Sequence, residues 1–106
     1  MVKMVALLQR PAQVSREEFH RWWLEDHVPM IRRYPGLRKY VVSLTTGPVA
    51  GGPDEWDGIA ELWFDGEEDV AAVYAASEGQ AGKADSEQHV GKLYRFLTRE
   101  IEVSLA

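Results

Sequence analysis

The chain has 106 residues, 45% of them hydrophobic and 27% charged, the proportions of a single soluble globular domain spanning positions 1–106. Twelve Lys and Arg face 17 Asp and Glu, for a formal net charge of -5, which argues against nucleic acid and against an anionic membrane surface. With no cysteine, disulfides, thiolate chemistry and cysteine metal sites are excluded.

The first residues hold only a short apolar run before Arg10 and Pro11, too short for a signal peptide, and no later stretch could span a bilayer. A cytoplasmic location is the default expectation. Val2 to Gln9 is apolar on both faces and predicts a strand covered on both sides. Ser15 is a helix N-cap, with Glu18 completing a capping box, and the helix is expected to run to about Tyr34. Pro35 and Gly36 stop it.

Leu37 to Thr46 is rich in β-branched residues and predicts a second strand. The glycine- and proline-rich segment from Gly47 to Trp56 is a loop. Asp57 to Phe64 is the third strand. Asp65 or Gly66 caps a second helix reaching about Ser77, with Glu67, Glu68 and Asp69 at its positive end. Glu78 to Gly91 is polar and rich in small residues, so a loop is expected, with at most a helical turn. Lys92 to Val103 is a long last strand.

The order β-α-β-β-α-β predicts an α+β, ferredoxin-like protomer, a four-stranded antiparallel sheet with both helices on one face. In the last strand, Leu93, Leu97 and Ile101 point one way and Tyr94 and Phe96 the other; in the third, Ile59 and Trp63 oppose Ala60, Leu62 and Phe64. The helix-free face is therefore apolar too. A second copy is its simplest cover, which predicts a homodimer through that face.

The first helix carries the most informative side chains. At ~100° per residue, Phe19, Trp23, Met30 and Tyr34 share a narrow sector. Trp22 and Asp26 lie on one flank and His27 on the other. Pro29 cannot donate and crowds the carbonyl of Glu25, which is expected to kink the helix or to free that carbonyl as an acceptor for an imidazole N–H. With one nitrogen of His27 held, the other is a base. Two readings stand: a hydrogen-bonded residue at the core's edge, or a working pocket residue.

His20 projects towards the polar side, and His89 falls in the polar segment before the last strand. Both read as solvated, although that segment could fold over a pocket mouth. His20 and His27 lie ~10 Å apart along the axis and cannot share one metal, and no ligand cluster is visible in the sequence. Glu61 is mid-strand, either paired with Arg95 or Arg99 at the dimer interface or in the pocket. Asp57 is a turn or edge residue. Trp22, Trp23, Tyr34, Tyr40, Trp63 and Phe64 are first of all core, and also what a flat apolar ligand would want.

Taken together, Phe19, Trp23, His27, Pro29, the run Tyr34-Pro35-Gly36-Leu37, Tyr40, and the stretch from Asp57 to Asp65 resemble the EthD family. That family lies within the dimeric α/β-barrel superfamily, beside muconolactone isomerases, quinone-forming monooxygenases and polyketide cyclases. The resemblance implies a dimeric α/β barrel with a pocket between sheet and helices. It does not fix a reaction; with no nucleotide, phosphate or metal-ligand motif in the sequence, the expectation is a small enzyme without a bound cofactor or metal, of isomerase, dehydratase/cyclase or monooxygenase type, acting on an aromatic, lactone or polyketide-like metabolite. His27 is then the acid–base, with Tyr34 or Tyr40 orienting substrate, Trp23 and Trp63 walling the pocket, and Glu61 within reach. A non-catalytic ligand-binding or accessory dimer of an oxidative pathway, and a haem-dependent relative, are the rival readings.

Overall fold

Alternating burial marks the two central strands. In β1 (Val2–Gln9), Met4, Ala6 and Leu8 are buried; in β3 (Gly58–Phe64), Ala60, Leu62 and Phe64 are. Period-two side chains of this kind must have a cover on one face. The structure, a computed structural model, describes residues 1–106. Its sheet has the order β2-β3-β1-β4, with β2 (Lys39–Leu44) and β4 (Lys92–Thr98) at the edges and every pairing antiparallel. This is the expected ferredoxin-like arrangement. No helix is long and apolar enough to cross a membrane.

The register builds three rows of side chains under the helices. Tyr40, Leu62, Met4 and Leu97 form one, and Leu44, Gly58, Leu8 and Leu93 another. Between them lies the row Val42, Ala60, Ala6 and Arg95. Two alanines side by side at the centre of the sheet leave a depression that larger residues would fill.

Ser15 caps the first helical region as expected, its Oγ accepting the Glu18 N–H at 3.1 Å, but the Glu18 side chain makes no return bond and the capping box is only half formed. The region then runs as α1 (Arg16–Trp22), a π-turn (Trp23–His27) and α2 (Val28–Ile31). Val28 N–H donates to the Trp23 carbonyl, five residues back. The π-turn adds a residue to the hydrogen-bonded ring and turns the later side chains relative to a regular helix. This corrects the expected stripe: Ile31 is buried where Met30 was expected, and His27 moves from the edge to full burial. Pro29 follows directly, where the ladder is already rearranged.

The expected loop over Glu78–Gly91 is a helix, α4 (Ser77–His89), following α3 (Glu67–Ala75). Its buried residues are Gly79, Gly82 and Ser86, one face at three- and four-residue spacing. The contact stripe is small, not apolar, so it carries no hydrophobic periodicity. A Cβ on Gly82 would collide with the Tyr34 hydroxyl oxygen, which is why α4 can lie so close to the first helical region. The last strand stops at Thr98, short of the expected Val103, because Thr98 pairs with Lys3 and β1 has only Val2 beyond it.

Candidate functional site

A cavity opens over the alanine row, between the sheet and the helices, with about 380 Å³ of atom-free space including its mouth. Ala6 and Ala60 form its floor. Trp23 and Ile31 come from the first helical region, Tyr74 from α3 and Ser86 from α4. The Trp23 ring lies against Gly58, where any Cβ would collide with it. Eleven of the 14 lining residues are hydrophobic, and the exceptions are His27, Ser86 and Arg95.

His27 is 5% exposed, and its Nδ1 lies 2.8 Å from Asp85 Oδ2. An ionised carboxylate only accepts, so this contact places the imidazole proton on Nδ1. Nε2 is left with a lone pair, and its one hydrogen-bond contact is the Ser86 hydroxyl at 3.4 Å, too long for a strong bond. Burial pushes the His27 pKa below its ordinary value; Asp85 pulls it up, while the charges of Arg95 and His89 add to the lowering. The neutral base is thus the favoured form near neutrality. The expected acceptor, the carbonyl of Glu25, is replaced by Asp85 on α4, a partner hidden from sequence because that segment did not read as a helix.

Asp85 holds a second histidine. His89 Nδ1 is 3.1 Å from Asp85 Oδ1 and donates to the Asp85 carbonyl at 2.9 Å. Trp22 stacks with both rings, with centroids 4.8 Å from His27 and 5.0 Å from His89. His89 remains exposed, but it sits at the end of α4 over the site, not in a loop. His20 is half-buried, not solvated: its Nε2 donates to the Asp57 carbonyl at 2.7 Å. Asp57 is no simple turn residue either, since its buried carboxylate takes Arg16 Nε at 2.8 Å and the Arg10 N–H at 2.8 Å. That latch ties the start of α1 to β3, away from the cavity. No group of three His, Asp or Glu side chains is arranged to hold a metal ion.

Two further donors stand unspent. Trp23 Nε1 and the Tyr40 hydroxyl are buried and make no hydrogen bond, and both residues line the cavity. The indole lies near enough to the phenol to oppose its shift, yet not in bonding geometry. Burial still pushes Tyr40 up to about 12, so its hydroxyl stays protonated. Tyr34 also lines the cavity, and burial raises its pKa as well. Trp22 Nε1 is likewise buried and unpartnered, which nothing in the structure explains.

Glu61 and Trp63 do not line this cavity. They alternate with Ala60 and Leu62 along β3 and so lie on the helix-free face. The partner of Glu61 is Lys3 at 2.7 Å, not Arg95 or Arg99. Arg95 is opposite Ala6 and belongs to the cavity side. Trp63 lies under the ammonium groups of Lys3 and Lys39, at 5.3 and 4.7 Å, and its Nε1 donates to Glu100. Strand alternation contained this separation, whereas Asp85, Ser86 and Tyr74 carried no readable signal.

The comparisons agree with this architecture. The EthD domain model matches residues 11–92. The chain is 30% identical over 111 aligned positions to the 4-carboxymethyl-4-methylbutenolide mutase of Pseudomonas reinekei, covering 95% of this chain and 99% of that one. An ethyl tert-butyl ether degradation (EthD) family protein of Bacillus halodurans superposes with a TM-score of 0.84 at 27% identity, over 95% of this chain and 99% of that one. A dimeric protein of ferredoxin-like fold from Bacteroides fragilis gives 0.71 at 17% identity, over 93% and 95%. With the helical motif, the third-strand motif and the fold in agreement, and the family model matched over most of its length, this chain belongs to the EthD domain family.

Proposed function

We propose that this chain is a small acid–base enzyme of the isomerase type, working without a resident cofactor on a lactone or similar flat carbonyl metabolite. The observation that carries this reading is His27. A buried imidazole lines an apolar cavity, its Nδ1 is tied to Asp85, and its Nε2 has no strong partner. The butenolide mutase relative supports the isomerase type over the oxygenase type.

The chemistry balances without a co-reactant. Nε2 takes a proton from the carbon next to the ligand's carbonyl, the C–H electrons move into the carbonyl, and negative charge develops on its oxygen. The Trp23 indole N–H and the Tyr40 hydroxyl are the donors for that oxygen; both are buried and make no hydrogen bond. Asp85 stabilises the imidazolium while it exists. The same imidazolium returns the proton to another carbon, completing the isomerisation. A general base of this kind contributes ~10²–10⁴-fold in rate.

The test is proton exchange. Butenolides bearing small substituents are incubated with the protein in D2O and followed by proton NMR. Loss of signal at the carbon next to the carbonyl, abolished in His27→Asn, is the expected result. If no butenolide exchanges faster than in buffer, or if His27→Asn exchanges as fast as the parent, the reading fails.

We also infer that two copies pair through the helix-free sheet face. Tyr94 and Phe96 are 46% and 49% exposed there, in register with Leu7 and Val5. Large exposed aromatics on a sheet face call for a cover. The Bacteroides fragilis protein of the same fold is dimeric, which supports pairing as such.

A further inference from the structure

Arg95 is the one permanently charged residue of the cavity, and it has no acid partner. Four other basic residues are paired with acids: Lys3 with Glu61, Arg10 and Arg16 with Asp57, and Arg38 with Asp65. Arg95 approaches no carboxylate within ion-pair distance; its guanidinium carbon lies 5.8 Å from the centre of the Tyr74 ring instead. The residue stands on the edge strand β4, in the alanine row opposite Ala6, and lines the cavity. Its charge is also felt inside, since it lowers the pKa values of His27, Tyr34 and Tyr74.

From this placement we propose that Arg95 is the anchor for a carboxylate, and that the ligand of this cavity is a monocarboxylic acid with a carbonyl at its other end. This rests on the cavity being the ligand site described above and specifies its substrate class. A guanidinium offers a planar fork of donors that matches a carboxylate in two parallel hydrogen bonds. No second cation lines the cavity, so one such group is matched, not two.

The sheet sets the spacing of the two ends. Tyr40 is on β2 and Arg95 on β4, at opposite edges of the four strands. Strands lie ~4.8 Å apart, so the two backbones are ~14 Å from each other, and both side chains reach inward. What fits between them, over the two alanines, is a single small ring carrying a short acid arm. The ring carbonyl lies towards Tyr40 and Trp23, the arm towards Arg95, and the carbons between them face His27. A neutral ligand of the same shape would leave the guanidinium unmatched.

The test compares one acid with its own methyl ester. A butenolide bearing a carboxymethyl arm and the corresponding methyl ester are titrated by calorimetry into the parent, Arg95→Gln and Arg95→Lys. In the parent, the acid is expected to bind about 10–100-fold more tightly than the ester, the strength of a charge-assisted pair. Arg95→Gln should bring the two to equal affinity, and Arg95→Lys should keep part of the preference. Arg95 is exposed on an edge strand, so both variants are expected to fold, which circular dichroism checks. Equal binding of acid and ester by the parent, a preference that survives Arg95→Gln, or no binding of the acid at millimolar concentration overturns the proposal. Binding without proton exchange keeps the anchor and defeats only the catalytic reading.

Discussion

The two faces of the one sheet are built from the same strands and do opposite things. Under the helices, the middle row is Val42, Ala60, Ala6 and Arg95, small at the centre and charged at one edge. On the other face, the residues that alternate with them include Ile59, Glu61, Trp63, Tyr94 and Phe96, large and only half covered. One face leaves a void that its own helices roof over. The other leaves a surface that nothing in the chain covers. Strand alternation means that neighbouring residues of one segment serve the two purposes separately, so a substitution moved by one position should change a different property.

The largest contrast comes from placing one charge on each face. Leu62→Asp puts a carboxylate among fully buried apolar side chains, and should cost more than the ~2–5 kcal/mol of a Leu→Ala truncation. Loss of the folded far-ultraviolet dichroism at room temperature is the expected outcome. Phe96→Asp, on the helix-free face, should keep the fold and shift the molecular mass in light scattering from dimer to monomer. A Phe96→Asp chain that stays dimeric would place the interface elsewhere.

Next is the void itself. Ala60→Leu adds three carbons at the cavity floor. Where a packed core meets such an addition the cost is ~1–3 kcal/mol, but here the side chain has space to enter. The expected result is a melting temperature within a few degrees of the parent and at least a tenfold loss of ligand affinity. Loss of folding would mean that the alanine row is packed tight.

These faces were unequally legible. The sheet face of β1 and β3 was readable because period-two burial depends on the strand's own residues. The first helical region was readable in part: Ser15, Phe19, Trp23 and Tyr34 behave as their spacing predicts. Ile31 for Met30 was not, because a π-turn is set by hydrogen bonds that spacing does not record. The fourth helix has no signature in the sequence. Its contact face is Gly79, Gly82 and Ser86, and small residues packed closely give no apolar period. With it went Asp85, the partner of His27. Glu61 and Trp63 alternate with the cavity residues of their own strand and so face away from the pocket, although a carboxylate and an indole carry functional chemistry on either face.

Asp85→Asn removes the charge and keeps the shape. The asparagine can present either oxygen or nitrogen to Nδ1, so the tautomer is no longer fixed, and the imidazolium loses its counter-charge. Turnover should fall about 10–100-fold, part of the ~10²–10⁴ that the base supplies. The pH profile carries the sign. In the parent, activity is expected to be level near neutrality and to fall in acid as His27 protonates, with the midpoint below the ordinary histidine value of 6.5. Asp85 raises that pKa, so its removal moves the acid limb lower still. Tyr40, pushed up to about 12, adds no alkaline limb in the working range. Stability follows the same group. A base with a depressed folded pKa is destabilising as pH falls from its unfolded value through its folded one. The melting temperature should therefore drop below about pH 6.5, the ordinary histidine pKa, and level off again once His27 is protonated.

The smallest effect belongs to His89→Ala, and its direction is the opposite one. His89 is exposed, so its contact with Asp85 is screened and contributes little to stability. Its charge nonetheless lowers the pKa of His27, as the weakest of the contributing groups. Without it the acid limb should move slightly to higher pH, while turnover at neutral pH changes less than about twofold, as expected of an exposed contact. The two substitutions, at Asp85 and at the His89 it holds, thus displace one titration in opposite senses. If both moved the limb the same way, the shift would come from disturbed packing around Trp22 and not from charge. An unmoved limb in both would mean that the titrating group is not His27.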